Sequence, residues 1–286
     1  MRLLVPLLLL SPPALASWPS DVSISGMTEH GGRPVADPAV NAEAYRVVVR
    51  QLGMAVAQRA LAPAQSTGVT GFEFTFETNA AFVSTRETGE PAPWSRMHPE
   101  EDPFPFLWAP GFTVRKGLPM GIDVGLTGSW IGLSRTGTFG AFGSVALVDG
   151  WEPWPDVALH FGYTGYVGND ELELGVFEFG GTISTDIMLG PVKKGVRTVA
   201  FSPIADASLL SVAAAPTVSQ DVIDATGAVA FGRRTATPDV PPERAITMFQ
   251  LRGGIQVHTA RFMLRASGGY AFSAGASAQL AVGFKY

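Results

Sequence analysis

The chain has 286 residues, a formal net charge of -5 at pH 7 and no cysteine. The lack of cysteine excludes a disulfide framework and a lipid-modified amino-terminal cysteine, and the mild acidity gives no indication of nucleic-acid binding. With 33 glycines, 18 phenylalanines and 16% charged residues, the composition favours β structure. The length allows one large β domain plus an N-terminal extension.

The first seventeen residues, MRLLVPLLLLSPPALAS, have the pattern of an export signal. Arg2 precedes an apolar run that ends at Leu10, and small residues follow at Ala14 and Ala16. This predicts a secretory signal peptide over 1–16, cleaved before Ser17. The run is far short of the ~20 residues of a spanning helix. Since no later apolar run reaches about 18 residues either, a helical membrane protein is not indicated.

Residues 17–67 are predicted to form an irregular leader followed by an amphipathic helix over about 38–62. Asp37 is a suitable N-cap, Pro38 suits the first helical position, and Pro63 ends the pattern. The apolar side has helical spacing and consists of Tyr45, Val48, Val49, Leu52 and Val56. The opposite side carries Glu43, Arg46, Arg50 and Gln58.

Two positions for this helix are open. If the rest of the chain forms a membrane barrel with a polar lumen, the apolar stripe disagrees with that lumen. This favours a periplasmic helix against the barrel mouth or the inner leaflet, with Arg46, Arg50 and Arg59 near lipid phosphate. The alternative is a plug inserted into the lumen.

After Gly68 the hydrophobic period changes from 3.6 to 2, so residues 68–286 are predicted to be one antiparallel β domain. Ten segments alternate in this way: 69–83, 108–116, 121–132, 137–148, 155–167, 171–187, 196–210, 245–258, 260–272 and 276–286. An even number of strands is typical of bacterial single-chain barrels. A change of phase between Val176 and Phe177 predicts a β-bulge.

The two faces of these strands have opposite character. The apolar row predicts a lipid-facing surface, and the polar row predicts the lining of a lumen. The candidate lumen-lining residues are Glu73, Glu77, Arg115, Asp123, Asp156, His160, Glu178, Asp186, Asp206, Arg252, Arg261, Arg265 and Lys285. In a barrel of this size such charges are expected to pair with one another and fill the lumen. The alternative is a narrow, charge-selective path.

Connection lengths agree with a membrane barrel. The even-numbered connections are short, whereas two odd-numbered ones are long, at 84–107 and 211–244. Short turns on the periplasmic side and long loops outside are the outer-membrane pattern.

The last strand carries a resemblance to a known family. Leu280, Val282, Phe284 and the terminal Tyr286 resemble the carboxy-terminal signature of bacterial outer-membrane β-barrel proteins, over roughly residues 69–286. That family more often ends in Phe. The resemblance implies a Gram-negative outer membrane, contact with its lipid and lipopolysaccharide, and recognition by the barrel assembly machinery. It does not imply a substrate.

Catalytic and metal patterns are weak. The sequence has no G-x-S-x-G, His98 lies among loop carboxylates, and His160 and His258 are expected at different heights of the barrel. Neither HPEED nor GNDELE has the spacing of a calcium loop. We therefore predict no catalytic residue, no metal and no cofactor.

The sequence predicts an outer-membrane β-barrel of about ten strands with a structural or small-solute transport role, a narrow porin-like protein and not an enzyme. One alternative is an outer-membrane enzyme or adhesin that acts through loops 84–107 and 211–244. Another is a secreted soluble β-sandwich with its apolar row buried.

Overall fold

The computed structural model describes residues 19–30, 33–34, 38–85, 92–97, 103–151, 154–193, 196–233, 242–259 and 261–286. The predicted signal peptide and His98 lie outside these ranges. Within the described ranges, the structure contains no helix with the length and apolar character needed to cross a membrane.

Ten antiparallel strands close into a barrel, as the alternation predicts. They are β1 Phe72–Phe82, β2 Phe106–Leu118, β3 Ile122–Trp130, β4 Gly137–Val148, β5 Asp156–Val167, β6 Leu172–Ser184 with its extension Ile187–Lys193, β7 Val196–Pro216, β8 Ile246–Thr259, β9 Phe262–Ala271 and β10 Gly275–Lys285. Each strand pairs with the next, and β10 pairs with β1. Phe72 and Tyr286 exchange backbone hydrogen bonds of 2.9 and 2.8 Å where the ring closes.

Within the described residues, three α-helices accompany the barrel: α1 Pro38–Val56, α2 Pro93–Met97 and α3 Gln220–Thr226. The leader contains a 3-10 turn at Ser25–Thr28 and two paired strands of two residues each, Glu29–His30 and Arg33–Pro34. Helix α1 starts where predicted but ends at Val56, and the chain then runs without regular structure to β1.

We call the end of the barrel where β1 begins and β10 ends the lower rim, and the opposite end the upper rim. The connection 119–121 is a short turn at the lower rim, whereas α2 and α3 lie in the two long connections of the upper rim. The second long connection begins later than predicted, since β7 continues to Pro216. Val212 and Ala214, at 0% exposure, extend the strand because they pack inside the barrel.

The outer surface of the barrel is apolar. Phe76 is 55% exposed, Phe161 50% and Leu264 58%. The predicted assembly signature faces the same way, with Leu280, Val282, Phe284 and Tyr286 all exposed. Soluble monomers rarely expose contiguous apolar surface of this extent. The β-sandwich alternative is wrong, because the apolar row lies outside the closed sheet.

The predicted bulge between Val176 and Phe177 is wrong. Strand β6 pairs with β5 and with β7 in continuous register through this point. Leu174, Val176 and Glu178 all face inward, and Phe177 faces outward. The apparent change of phase arises because the inward row itself changes from apolar to polar.

The hydrophobic core of the protein lies inside the upper half of the barrel. Helix α1 contributes Tyr45, Val48, Val49 and Leu52 to it. The wall contributes inward side chains near the upper rim: Leu172, Leu174, Val176, Leu210, Val212 and Met248. The favoured periplasmic position of the helix is therefore wrong. The apolar stripe fits the lumen because the lumen is apolar at this level.

Gly53 sets how closely α1 approaches the wall. A Cβ atom there would lie 2.5 Å from Val212 Cγ2. We expect Gly53→Ala to lower the free energy of unfolding by about 1–3 kcal/mol through overpacking, although alanine is by itself the better helix former. Urea titration of the refolded protein measures this. In a Val212→Ala background, Gly53→Ala should lose less free energy of unfolding. An equal loss in both backgrounds would mean that residue 53 does not press against Val212.

Candidate functional site

Residues 38–67 pass through the barrel from the upper rim to the lower rim, and we call this segment the plug. Its extended part is held by the inward face of several strands at successively lower levels. The contacts are Leu61 N to Gln279 Oε1 at 3.0 Å, Ala64 N to Ser184 Oγ at 2.9 Å, Gln65 Nε2 to Asp156 Oδ2 at 2.8 Å and Thr67 Oγ1 to Asp123 Oδ1 at 2.6 Å. All residues from Gln51 to Leu61 are buried.

The upper end of the plug is covered by the long connections. Trp94 of α2 donates from Nε1 to Gln51 Oε1 at 2.7 Å, and Arg96 Nη1 donates to Asn41 Oδ1 at 3.0 Å. On the other side, the ring of Tyr45 stacks on Phe231 with centroids 6.1 Å apart. The two long loops thus form a cover over α1.

A buried charge network holds the plug at mid-height. Arg59 donates from Nη1 to Glu178 Oε2 and from Nη2 to His160 Nδ1 at 2.7 Å. Because a guanidinium has no acceptor, Nδ1 of His160 must accept this bond. The proton of the neutral ring then sits on Nε2, which donates to Asp206 Oδ2 at 2.6 Å.

Arg252 of β8 completes the network from the neighbouring strand, where it is the direct cross-strand partner of Asp206 on β7. Its Nε and Nη2 donate to Asp206 Oδ1 at 2.9 and 2.8 Å, and Nη2 also donates to Glu178 Oε1 at 2.8 Å. Thr182 Oγ1 donates to Asp206 Oδ2 at 2.8 Å. Two arginines face two carboxylates, so with a neutral His160 the formal charges cancel. Such cancellation is what buried charges require.

The strands leave room for Arg59 at defined positions. Its Cζ lies 5.1 Å from the centroid of Phe142, within cation–π range. Gly162 is inward, and a Cβ there would lie 2.8 Å from Arg59 Nη1. Phe142 is a large side chain in an inward row of β4 that otherwise holds small residues such as Gly140 and Ser144. Its contact with the plug explains this.

Two further ion pairs occupy the lower half. Arg265 Nη1 lies 2.8 Å from Glu73 Oε1, between β9 and β1. Arg115 Nη2 lies 2.5 Å from Asp123 Oδ2 and also donates to the backbone oxygen of Gln65 at 2.9 Å. The second pair therefore binds the plug as well as the wall.

Ten of the thirteen candidate lumen residues are buried inside the barrel: Glu73, Glu77, Arg115, Asp123, Asp156, His160, Glu178, Asp206, Arg252 and Arg265. Asp186 is half-buried and accepts a hydrogen bond from Ser202. Lys285 is half-buried near the end of β10. Arg261 lies in the connection immediately before β9, which begins at Phe262. Its side chain is exposed and does not line the lumen.

Arg59 is the main residue whose role sequence reasoning missed. It was assigned to lipid phosphate, but it lies 9% exposed at the centre of the lumen. The available signal was the excess of inward carboxylates over inward basic residues. The inward candidates contain seven acidic and five basic residues, so a cation from elsewhere in the chain improves their balance.

The network is enclosed, and this limits its chemistry. The cavity beside residues 59–63 has a volume of about 40 Å³, which is room for one to a few waters. Ligand atoms of His160, Glu178 and Asp206 lie within 4.8 Å of one another, a spacing compatible with a metal ion. The guanidinium groups of Arg59 and Arg252 already satisfy these atoms, so the residues present do not fit a cation.

No protein-family model and no curated protein matches the sequence. Among solved structures, the fold is similar to the KdgM porin, at 6% identity and a TM-score of 0.30 over 75% of this chain and 98% of that chain. It is similar to LpxR from Salmonella typhimurium, at 7% identity and a TM-score of 0.35 over 76% of this chain and 99% of that chain. It is also similar to the translocator domain of the autotransporter NalP from Neisseria meningitidis, at 10% identity and a TM-score of 0.40 over 88% of this chain and 99% of that chain.

At these identities the likeness concerns the fold, and no residue role follows from it. The prediction that the chain is not an enzyme stays a prediction. The chain has the closed antiparallel ten-stranded barrel, preceded by a helix, that the alternation and the terminal strand predict, and its structural neighbours are outer-membrane barrel proteins.

Proposed function

We propose that the protein is an outer-membrane β-barrel with a structural role, whose lumen is closed by its own plug. The observation that carries this proposal is the passage of residues 38–67 through the whole barrel, fixed at mid-height by Arg59 on Glu178 and His160. A channel needs a continuous water path, and here helix and side chains occupy the lumen.

The outer membrane is the location that the surface supports best. The barrel exposes an apolar exterior and encloses a polar interior in its lower half, the reverse of a soluble protein. A closed sheet leaves no unpaired strand edge, as spanning the hydrocarbon requires. Lipid is then the partner of the exterior. Lipopolysaccharide near the upper rim and the assembly machinery at the terminal strand are further proposed partners.

A gated narrow pore for a small solute is the second candidate. It is favoured by the charged lining of the lower half, since removing the plug would leave Glu73, Asp123, Asp156 and Arg265 around open space. Transport would then require the plug to move.

Ion conductance in planar lipid bilayers tests the proposal. We expect the purified, inserted protein to show no stable discrete openings at low or at high salt. A matched variant locks the plug: Gly53→Cys with Val212→Cys places the two Cβ atoms 3.3 Å apart, slightly below the usual range of about 3.5–4.5 Å in a disulfide. The chain has no other cysteine to interfere.

The locked variant separates the two candidates. Openings in the unlocked protein that vanish on oxidation and return on reduction would replace the structural role by a gated pore. Openings that persist in the oxidised variant would mean a water path beside the plug, and the closed lumen would be wrong.

A further inference from the structure

The first part of the leader, residues 19–30, is seated on the upper rim. Ser25 donates from N and Oγ to the two carboxylate oxygens of Glu171, at 2.9 and 2.5 Å. Asn169 Nδ2 donates to Val22 O at 2.9 Å, and Ser20 N donates to Leu133 O at 3.1 Å. Glu171, Asn169 and Leu133 all belong to short connections of the upper rim.

These contacts are buried and specific. Val22 is 2% exposed, and Ile24 and Met27 are fully buried against the cover. The 3-10 turn packs so closely that a Cβ on Gly26 would lie 2.2 Å from Met97 O of α2. The leader is therefore a fitted part of the upper end of the protein.

The chain between the leader and β1 crosses the barrel once. Helix α1 has 19 residues and is about 28 Å long, which reaches from the cover to the level of Arg59. The cavity that Arg59 lines at that level, about 40 Å³, has no room for a second passage of chain, as far as the described residues go. The N-terminal end of the leader and the start of β1 therefore lie at opposite rims.

We infer that the barrel displays residues 19–30 of its own chain on the outer side of the membrane. This inference rests on the proposed outer-membrane location. Orientation follows from the connections: the long loops mark the outer rim of an outer-membrane barrel, and the leader sits among them.

The route follows from the enclosure. A chain exported to the periplasm starts on the side of the lower rim, so residues 19–30 must cross to the upper rim during assembly. The buried contacts of Arg59 and Leu61 with the wall show that the finished barrel surrounds the crossing segment. The lumen is thus the path of the displayed segment.

Single-cysteine labelling in intact cells tests the inference, since the chain has no native cysteine. Pro19→Cys reports the leader, Asp170→Cys an exposed position of the upper rim, and Met120→Cys a 91% exposed position of the lower rim. The probe is a membrane-impermeant maleimide. We expect Pro19→Cys to be labelled as fully as Asp170→Cys, and Met120→Cys only after lysis.

A second variant covers the case in which the thiol at residue 19 lies on the outer side but is inaccessible to the maleimide. It carries a short epitope inserted between Trp18 and Pro19, detected by antibody on whole cells. Labelling and antibody binding that appear only after lysis, with Asp170→Cys still labelled in intact cells, would overturn the inference. A failure of the location itself looks different, because Asp170→Cys and Met120→Cys would then respond identically.

Discussion

Replacing Arg59 by alanine is expected to lower the free energy of unfolding by about 3 kcal/mol, the lower end of the range for breaking a buried ion pair. The lower end applies because Glu178 keeps its bond to Arg252. His160 Nδ1 loses its donor, and Phe142 loses the guanidinium above its ring. Urea unfolding of the protein refolded in lipid vesicles measures the loss.

The plug should loosen more than the barrel wall does. Amides of residues 57–67 should exchange with deuterium faster in Arg59→Ala, whereas β1 and β10 should keep their protection, because local opening costs less than global unfolding. Equal acceleration in plug and wall would mean that Arg59 stabilises the whole fold and does not hold the plug in particular.

Arg46→Ala is the matched control for this variant. Arg46 also pairs with a carboxylate, Glu243 Oε1 at 2.9 Å, but the two side chains are 34% and 47% exposed. An exposed pair of this kind contributes at most about 1 kcal/mol. If the two alanine variants lose the same free energy of unfolding, burial of the Arg59 network does not explain its contribution to stability.

The barrel itself could be predicted because a single physical pattern specifies it. Alternation of period 2 with one apolar row, as in Phe72, Phe74 and Phe76, depends only on local sequence and recurs in segment after segment. The closing strand pairs with β1 in the register that places Leu280 and Phe284 outside. These features need no knowledge of what fills the interior.

The position of the plug could not be predicted in the same way. The inward row of polar residues predicts a lumen that is polar throughout, but Leu174 and Val176 show that the upper part is apolar. Sequence alone predicts a bulge between Val176 and Phe177, because the correct interpretation requires knowing that Val48 and Leu52 of a distant helix belong to the same core as these inward side chains. Long-range pairing of this kind leaves no local signal.

The sequence predicts that the inward charges form ion pairs, but it does not predict which residues pair. That inward charges would pair with one another follows from the cost of burying them. Which ones pair depends on the heights of the strands: Arg265 meets Glu73 of the first strand, about 190 positions earlier in the chain. The register of a closed barrel decides this, together with the level at which Arg59 enters.

Leu126→Arg is expected to lower the free energy of unfolding in lipid by about 2–4 kcal/mol, the cost of a basic side chain on the lipid face near the bilayer midplane. Leu126 lies at the middle of β3, is 47% exposed and points outward. In water the same change would replace an exposed apolar side chain by a charged one. The sign and size of the effect therefore report the solvent on the outer face.

Met120→Arg supplies the comparison for this change. Met120 is 91% exposed in the lower-rim turn, where an arginine reaches water and should cost about 0–1 kcal/mol. Both variants add the same charge to the same protein, so charge alone cannot explain a difference between them. A Leu126→Arg protein as stable as Met120→Arg in vesicles would place water on the outer face, and the apolar exterior would then need a protein partner to cover it.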